Sequence, residues 1–554
     1  MGSINLNGEG QPAGPRPARK RLSRRWLAGV GAGVAALCGA AAFAVPGASA
    51  ATAATGTALQ VPDVTWSNCT GLAGFQCASI EVPLDYANPG GRTITLGLIE
   101  HPAAIQGKSA GTLFFNPGGP DQNGSAYLPA LLAGFGSQVV NNFNIVSWDP
   151  RGAGGLSTPA VQCFATPADE AALISPVGSP PLTLPQQVKY ADLNAQLNQH
   201  CTGQDEALLA HVSTADSARD LDLMRQALGQ SKLSYYGISY GTLLGATYAN
   251  MYPDRVGKMV LDGNIYPPTW FSSGKQFSSF LRIGSDQATA ATLKSFLTLC
   301  GQSTTAQCAF SAGSPAKTSQ KFTALLDRAG KTPVVTAPGQ APVSESNIVA
   351  LTDASLSIVA PAPAIGVGGW TGLASTLQAL WAASGQPASA TPATAATTSS
   401  AVTTAATQAP YSGAEQKLSV ICGETPNPTT TAQSIRQADI SRQQAGVGAQ
   451  TWAWTAYCVN WPVKAAAAYT GPWNRSTSPI LVVGNTGDPA TSYENSVLTS
   501  HLLPGARLIT VQGYGHTELA NPSTCAQNYI AGYLTNGALP KAGATCQQDA
   551  TPFP

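Results

Sequence analysis

Gly237-Ile-Ser239-Tyr-Gly241 places a serine between two glycines. It sits where a β-prone run, Leu233 to Ile238, meets a run able to continue as a helix. A strand, sharp turn and helix in that order lift a hydroxyl clear of a sheet, and the two glycines leave the turn room. The following helix also aims backbone N–H groups at the same point. A serine hydroxyl is a poor nucleophile near neutral pH. It needs a base within hydrogen-bond reach and a carboxylate to orient that base. In a strand–turn–helix site of this kind the acid and the histidine follow the serine in the chain, each on a loop after a late strand.

Five histidines compete for the base: His101, His200, His211, His501 and His516. Only His516, in Gly513-Tyr-Gly-His-Thr, falls in a loop directly after a late β-prone run, with glycines that let the loop bend. His101 precedes Pro102, His200 and His211 come before the serine, and His501 lies in a helical stretch. Asp488, in Gly484-Asn-Thr-Gly-Asp-Pro489, has the position and chain order expected of the acid. Asp262 in Val260-Leu-Asp-Gly is its competitor, and its setting reads equally well as a turn. Transition-state charge on the substrate oxygen needs two N–H donors. Tyr240, directly after the serine, supplies one, and Gly119 or Gly118 of the Asn116-Pro-Gly-Gly-Pro120 loop supplies the other.

The elements that must hold these residues are legible as alternating strands and helices. Ser79 to Leu84 and Thr93 to Ile99 alternate like strands joined by the Asn88-Pro-Gly-Gly91 turn, a hairpin pattern. Thr112 to Phe115, Asn144 to Trp148, Leu233 to Ile238 and Val256 to Leu261 are apolar runs. Between them, Thr214 to Leu228 carries apolar residues at helical spacing and stops at Gly229. That order predicts an α/β fold with a mostly parallel central sheet covered on both faces. The alternation stops after residue 265. Residues 266–450 are richer in helix, alanine and threonine, and Ser384 to Pro410 is low-complexity. They read as a large helical cap inserted into the sheet domain, which comprises 51–265 and 451–554. The sheet resumes at Pro479 to Val483 and Ala506 to Val511, and a helix near Cys525 to Leu534 closes the fold.

With 554 residues, 44% hydrophobic, 10% charged and a net charge of +1, the chain can bury a large core but carries no charge imbalance. Nothing in that balance points to nucleic acid or an anionic membrane. The exception is the start. Arg16, Arg19, Lys20, Arg21, Arg24 and Arg25 precede an uncharged Leu27 to Val45 stretch and Ala48-Ser49-Ala50. This is the pattern of an export signal over residues 1–50, by a twin-arginine or Sec route, with no stable membrane insertion after cleavage. Eleven cysteines occur. Setting aside Cys38 in the signal, the rest can form up to five disulfides in an exported protein, pairing most simply between sequence neighbours. No Cys-x-x-Cys pair suggests zinc, and the chemistry calls for no cofactor.

Several motifs fall together: Asn116-Pro-Gly-Gly-Pro, Trp148-Asp-Pro-Arg-Gly, Gly237-Ile-Ser-Tyr-Gly-Thr, Val260-Leu-Asp-Gly, Gly487-Asp-Pro-Ala-Thr and Gly513-Tyr-Gly-His. In this order the chain resembles the secreted tripeptidyl aminopeptidase group of α/β-hydrolases, relatives of prolyl aminopeptidases with a TAP-like C-terminal domain. The resemblance implies an exported serine exopeptidase whose substrates are the free N-termini of peptides or proteins, cleaved as short peptides, typically tripeptides. It also matches Glu424, after Cys422, to an acidic position of that group. A substrate ammonium needs such a carboxylate; Glu518, two residues past the histidine, is a second candidate. The oxyanion loop departs from the group's pattern, because Asp121-Gln122-Asn123 replace small residues after Pro120. Asp121 narrows the pocket or binds the amine itself. An esterase or lipase of the same fold uses the same triad, and a non-catalytic binding protein retains the shell without needing serine, acid and base together.

Overall fold

The central strands of this protein are short apolar runs, the pattern of strands covered on both faces. The computed structural model describes residues 59–105, 110–174, 179–272, 274, 276–363, 366–385 and 413–554. The expected export signal, Cys38 and all but the first two residues of the low-complexity run lie outside the described residues. Ten strands form one sheet: β1 (Ser67–Asn68), β2 (Gln76–Pro83), β3 (Thr93–His101), β4 (Thr112–Asn116), β5 (Asn144–Trp148), β6 (Leu233–Ile238), β7 (Val256–Asp262), β8 (Leu481–Gly487), β9 (Arg507–Tyr514) and β10 (Ala544–Gln547). Their order is β1-β2-β3-β5-β4-β6-β7-β8-β9-β10. The β2–β3 hairpin is antiparallel and joins β5 antiparallel, whereas every pair from β5 to β10 is parallel.

Alternation along each buried strand divides the core into two layers. Phe114, Tyr235, Leu261 and Val482 face one layer with Leu221, Met224, Leu243 and Leu244 from helices Thr214–Ala227 and Tyr240–Met251. Their neighbours Phe115, Tyr236, Val260 and Val483 face the other with Leu128, Val139, Ile530 and Leu534. One register step would exchange every pair, so the parallel register is strongly specified.

The sequence expectation ended the fold on a helix. The helix is there, Thr524–Asn536, but the chain then returns as β10 alongside β9. Ala544–Gln547 has no apolar run to announce it; the Cys525–Cys546 disulfide ties it back to the helix that precedes it. Between β7 and β8 lie helices including Ser285–Gln302, Pro315–Lys331, Glu345–Leu356 and Gly369–Ser384. They share an apolar cluster of their own around Phe296, Leu325, Ile348, Trp370 and Leu377.

The five disulfides of the described residues join sequence neighbours: Cys69–Cys77, Cys163–Cys201, Cys300–Cys308, Cys422–Cys458 and Cys525–Cys546. Cys163–Cys201 closes the longest loop, a separation of 38 residues. Loop-closure entropy for that span is worth about 4 kcal/mol. Replacing both cysteines with serine is therefore expected to lower unfolding stability by about 2–5 kcal/mol in urea titrations. Replacing both members of the short Cys300–Cys308 loop is expected to cost less.

Candidate active site

The parallel register brings the chemistry-bearing loops to one edge of the sheet. Asn116 at the end of β4 pairs with Gly237 in β6, and Ile238 pairs with Asp262 at the end of β7. Asp262 in turn pairs with Val483 in β8, whose Gly487 pairs with Tyr514 of β9. The glycine loop, the serine turn, Asp262, Asp488 and His516 thus follow five adjacent strands at their carboxyl ends, where open α/β sheets place their sites.

Ser239 adopts φ 55° and ψ −124°, a conformation that side-chain-bearing residues rarely enter. It is fixed from both sides. Its N–H donates to the Asp262 carbonyl at 3.0 Å, and its own carbonyl accepts from Thr242 N–H at 2.9 Å and Thr242 Oγ1 at 2.6 Å. The glycines are required by proximity. A Cβ on Gly237 would lie 2.4 Å from the Gly241 oxygen, and one on Gly241 would lie 2.6 Å from the Asn116 oxygen. A Cβ on Gly118 would meet Ile238 O at 2.7 Å and Tyr240 N at 3.0 Å. The Asn116-Pro-Gly-Gly-Pro loop therefore lies directly against the serine turn. Gly118 N–H is already given to Asn116 Oδ1 at 3.1 Å.

His516 Nδ1 lies 3.0 and 2.9 Å from the two Asp488 oxygens. The carboxylate is otherwise held by Ala490 N–H, Thr491 N–H and Thr491 Oγ1, at 2.9, 2.9 and 3.0 Å, and by Thr517 N–H at 3.3 Å. Burial disfavours the charged imidazole, but the Asp488 charge, its hydrogen bond and the Asp262 charge outweigh it. They raise the His516 pKa above its ordinary value. Asp262, the competing acid, makes no hydrogen bond to the imidazole. It accepts Glu518 N–H and Leu519 N–H, each at 2.9 Å.

A family model described as "alpha/beta hydrolase fold" matches residues 111–324, and one described as "TAP-like protein" matches 445–546. The chain is an α/β-hydrolase with a TAP-like C-terminal domain. The hydrolase is 27% identical over 492 residues to Serine protease Hip1 of Mycobacterium tuberculosis, covering 85% of this chain and 87% of the relative. It is 28% identical over 512 residues to Tripeptidyl aminopeptidase of Streptomyces lividans, covering 89% and 88%. It is 29% identical over 520 residues to Carboxylesterase B of Mycobacterium tuberculosis, covering 89% and 91%.

The three candidates for amine binding occupy different places in the hydrolase. Glu424 is 8% exposed and ends the Ala414–Glu424 helix. It accepts from Thr214 N–H at 2.9 Å and from the Thr214 hydroxyl, which also lies 2.5 Å from the Tyr240 hydroxyl. Burial pushes its carboxyl up to about 7. Asp121 is paired with Lys417 at 3.2 Å, a partner that sequence reading missed because 121 and 417 share no local pattern. Glu518 lies in the interior. It is 1% exposed, beside Asp262, and its Oε1 accepts Ser523 N–H at 2.9 Å at the start of the Thr524–Asn536 helix. Two residues after a histidine is no guide to which side of a loop a side chain takes. Thr242 and Thr491 were also missed. The threonine directly after Gly241 is the local sign of the first.

With His516 as the base, activity is expected to be lost as pH falls through its raised pKa, because only the neutral imidazole accepts a proton. The acid limb of kcat/KM is expected above about 6.5, the ordinary imidazole value. Asp488→Asn is expected to lower kcat about 10⁴-fold and to move that limb to lower pH, measured by pH–rate profiles on any acyl substrate the wild type turns over.

Proposed function

We propose that this hydrolase is an exported serine exopeptidase that releases short peptides, tripeptides in the simplest case, from free N-termini through an acyl-enzyme. The observation that carries the reading is the hydrogen-bonded Asp488–His516 pair on the two loops after β8 and β9, at the sheet edge that carries Ser239. In this scheme Ser239 Oγ attacks the scissile carbonyl while His516 Nε2 takes its proton. Asp488 holds Nδ1 and stabilises the imidazolium. Tyr240 N–H and Gly119 N–H hold the oxyanion; Gly119 is assigned over Gly118 because the Gly118 N–H is committed to Asn116. His516 returns its proton to the leaving amine. Water then attacks the acyl carbon and gives its proton to His516, which passes it to the departing Ser239 Oγ as the peptide acid is freed.

Glu424 is assigned as the anchor of the substrate ammonium, ahead of Asp121, whose charge already meets Lys417. An arriving ammonium would draw the Glu424 carboxyl into its ionised form and add a charge-assisted contact in a poorly solvated place. Residues 266–450 act in this reading as the cap that limits entry to extended chain ends. Export rests on the basic and Ala/Gly-rich start of the chain and fits five disulfides. No helix of the described residues is long and apolar enough to cross a membrane.

Ester hydrolysis by the same residues is the second reading, favoured by the similarity to Carboxylesterase B. Chromogenic tripeptide anilides with free or acetylated N-termini, assayed beside short acyl esters, separate the two. The exopeptidase is expected to cleave free tripeptides and to discriminate strongly against acetylated ones. Turnover of esters alone would reject it. KM for free tripeptides is expected to rise as pH falls below about 7, where Glu424 takes up a proton. In Glu424→Gln that pH dependence is expected to vanish and KM to be high throughout, by about 10-fold or more for a lost charged contact.

A further inference from the structure

We propose that Asp262 is a positioning residue that fixes the serine turn and the histidine loop to one another. Its carboxylate also supplies a second negative charge behind His516. The proposal rests on reading Ser239 and His516 as nucleophile and base.

Asp262 is fully buried and receives the chain from two directions. Its main-chain carbonyl takes the Ser239 N–H at 3.0 Å. Its Oδ1 takes Glu518 N–H and its Oδ2 takes Leu519 N–H, both at 2.9 Å. Those two donors directly follow Thr517, which sits at φ 66° beside His516. Two strained turns, one at the serine and one after the histidine, are therefore referred to the same residue. Gly263 extends the join, because its N–H donates to Val483 O at 3.2 Å in β8. A Cβ on Gly263 would come within 2.7 Å of Thr517 Cγ2 and 3.3 Å of Asp488 Oδ2.

A plain structural turn would not require a charge here. Burying a carboxylate is costly unless it is well bonded. Its particular merit is that two oxygens accept two adjacent backbone N–H groups at once. Asparagine has one acceptor oxygen and would turn an NH₂ against the other donor. The groups that face Asp262 are Tyr236 from β6, Asp488, His516 and Glu518. Burial and the Asp262 charge hold the Glu518 carboxyl well above the ordinary carboxylate range. Burial also pushes Asp262 up to about 6 against the pull of its two N–H donors, so above that pH the charge of the pair sits on Asp262. The imidazolium formed during acyl transfer then sees Asp488 at Nδ1 and Asp262 behind the loop. Asp262 touches no reacting atom.

The test uses the mature protein with Asp262→Asn and Asp262→Glu. A serine-directed fluorophosphonate reports the reactivity of the nucleophile whichever substrate class the enzyme takes. Its inactivation rate is followed across pH, and its end-point stoichiometry counts folded sites. Asp262→Asn is expected to react about 10²-fold more slowly per site, through misplacement of serine and base. Its acid limb is expected to move down by about half a pH unit, through loss of the charge. Asp262→Glu keeps the charge but moves it, so its rate is expected to fall about 10-fold with the limb in place. A wild-type rate and limb in either variant would overturn the proposal, as would a slower Asp262→Asn whose limb has not moved. Failure of the underlying nucleophile assignment looks different: Ser239→Ala would still be labelled and active.

Discussion

Three stretches of backbone pass Ser239 at distances that admit no side chain, and the site is built on that closeness. Gly118, Gly237 and Gly241 are where the glycine loop, the strand and the elbow helix touch. The strained serine they enclose costs about 1–3 kcal/mol. That strain persists because Asp262 O, Thr242 N–H and Thr242 Oγ1 bind the serine's peptide groups, while Ile265 N–H donates to Thr242 Oγ1 at 3.0 Å. The end of β7 therefore holds both sides of the turn.

A second buried contact positions the region that carries Glu424. Arg151 lies in the Trp148-Asp-Pro-Arg-Gly stretch after β5, and its Nε and Nη2 bind Asp220 at 2.7 and 2.5 Å. Its Nη1 donates to Leu84 O and His211 O at 3.0 and 2.9 Å. A buried pair is weak evidence for stability in itself, but breaking one leaves an unpaired charge inside. Asp220 belongs to the Thr214–Ala227 helix, whose first residue binds Glu424 and approaches Tyr240. One guanidinium thus fixes where that helix begins relative to the elbow.

Much of this was legible because it depends on local signals. The strand runs, the hairpin turn and the Thr214 helix are encoded in spacing that neighbouring residues share. Glycines around Ser239 and His516 announce turns for the same reason. Disulfide pairing followed loop length. What sequence alone did not disclose depends on contacts between distant segments. β10 is too short and too polar to read as a strand without β9 beside it and Cys546 tied to Cys525. Lys417 neutralises Asp121 across nearly 300 residues of chain, and the Glu518 carboxyl turns inward to accept Ser523 N–H while its own N–H is taken by Asp262. Asp262 itself was visible only as a competitor for the acid. Its hydrogen bonds give it a place of its own.

The helices between β7 and β8 hold two of the loops at the sheet edge. Hydroxyls of the Ser285–Gln302 helix grip the loop that carries Asp488: Ser285 on Ala490 O, Thr289 on Pro489 O and Thr292 on Gly487 O, at 2.7, 2.7 and 3.1 Å. On the histidine side, His516 N–H donates to Ser357 O at 2.8 Å, and Asn521 Oδ1 accepts Val359 N–H at 2.9 Å. These helices therefore brace the two loops that carry Asp488 and His516. It follows that the segment is not an interchangeable module. Replacing it with another chain's helices would remove the hydroxyls and carbonyls that hold the Asp488 and His516 loops.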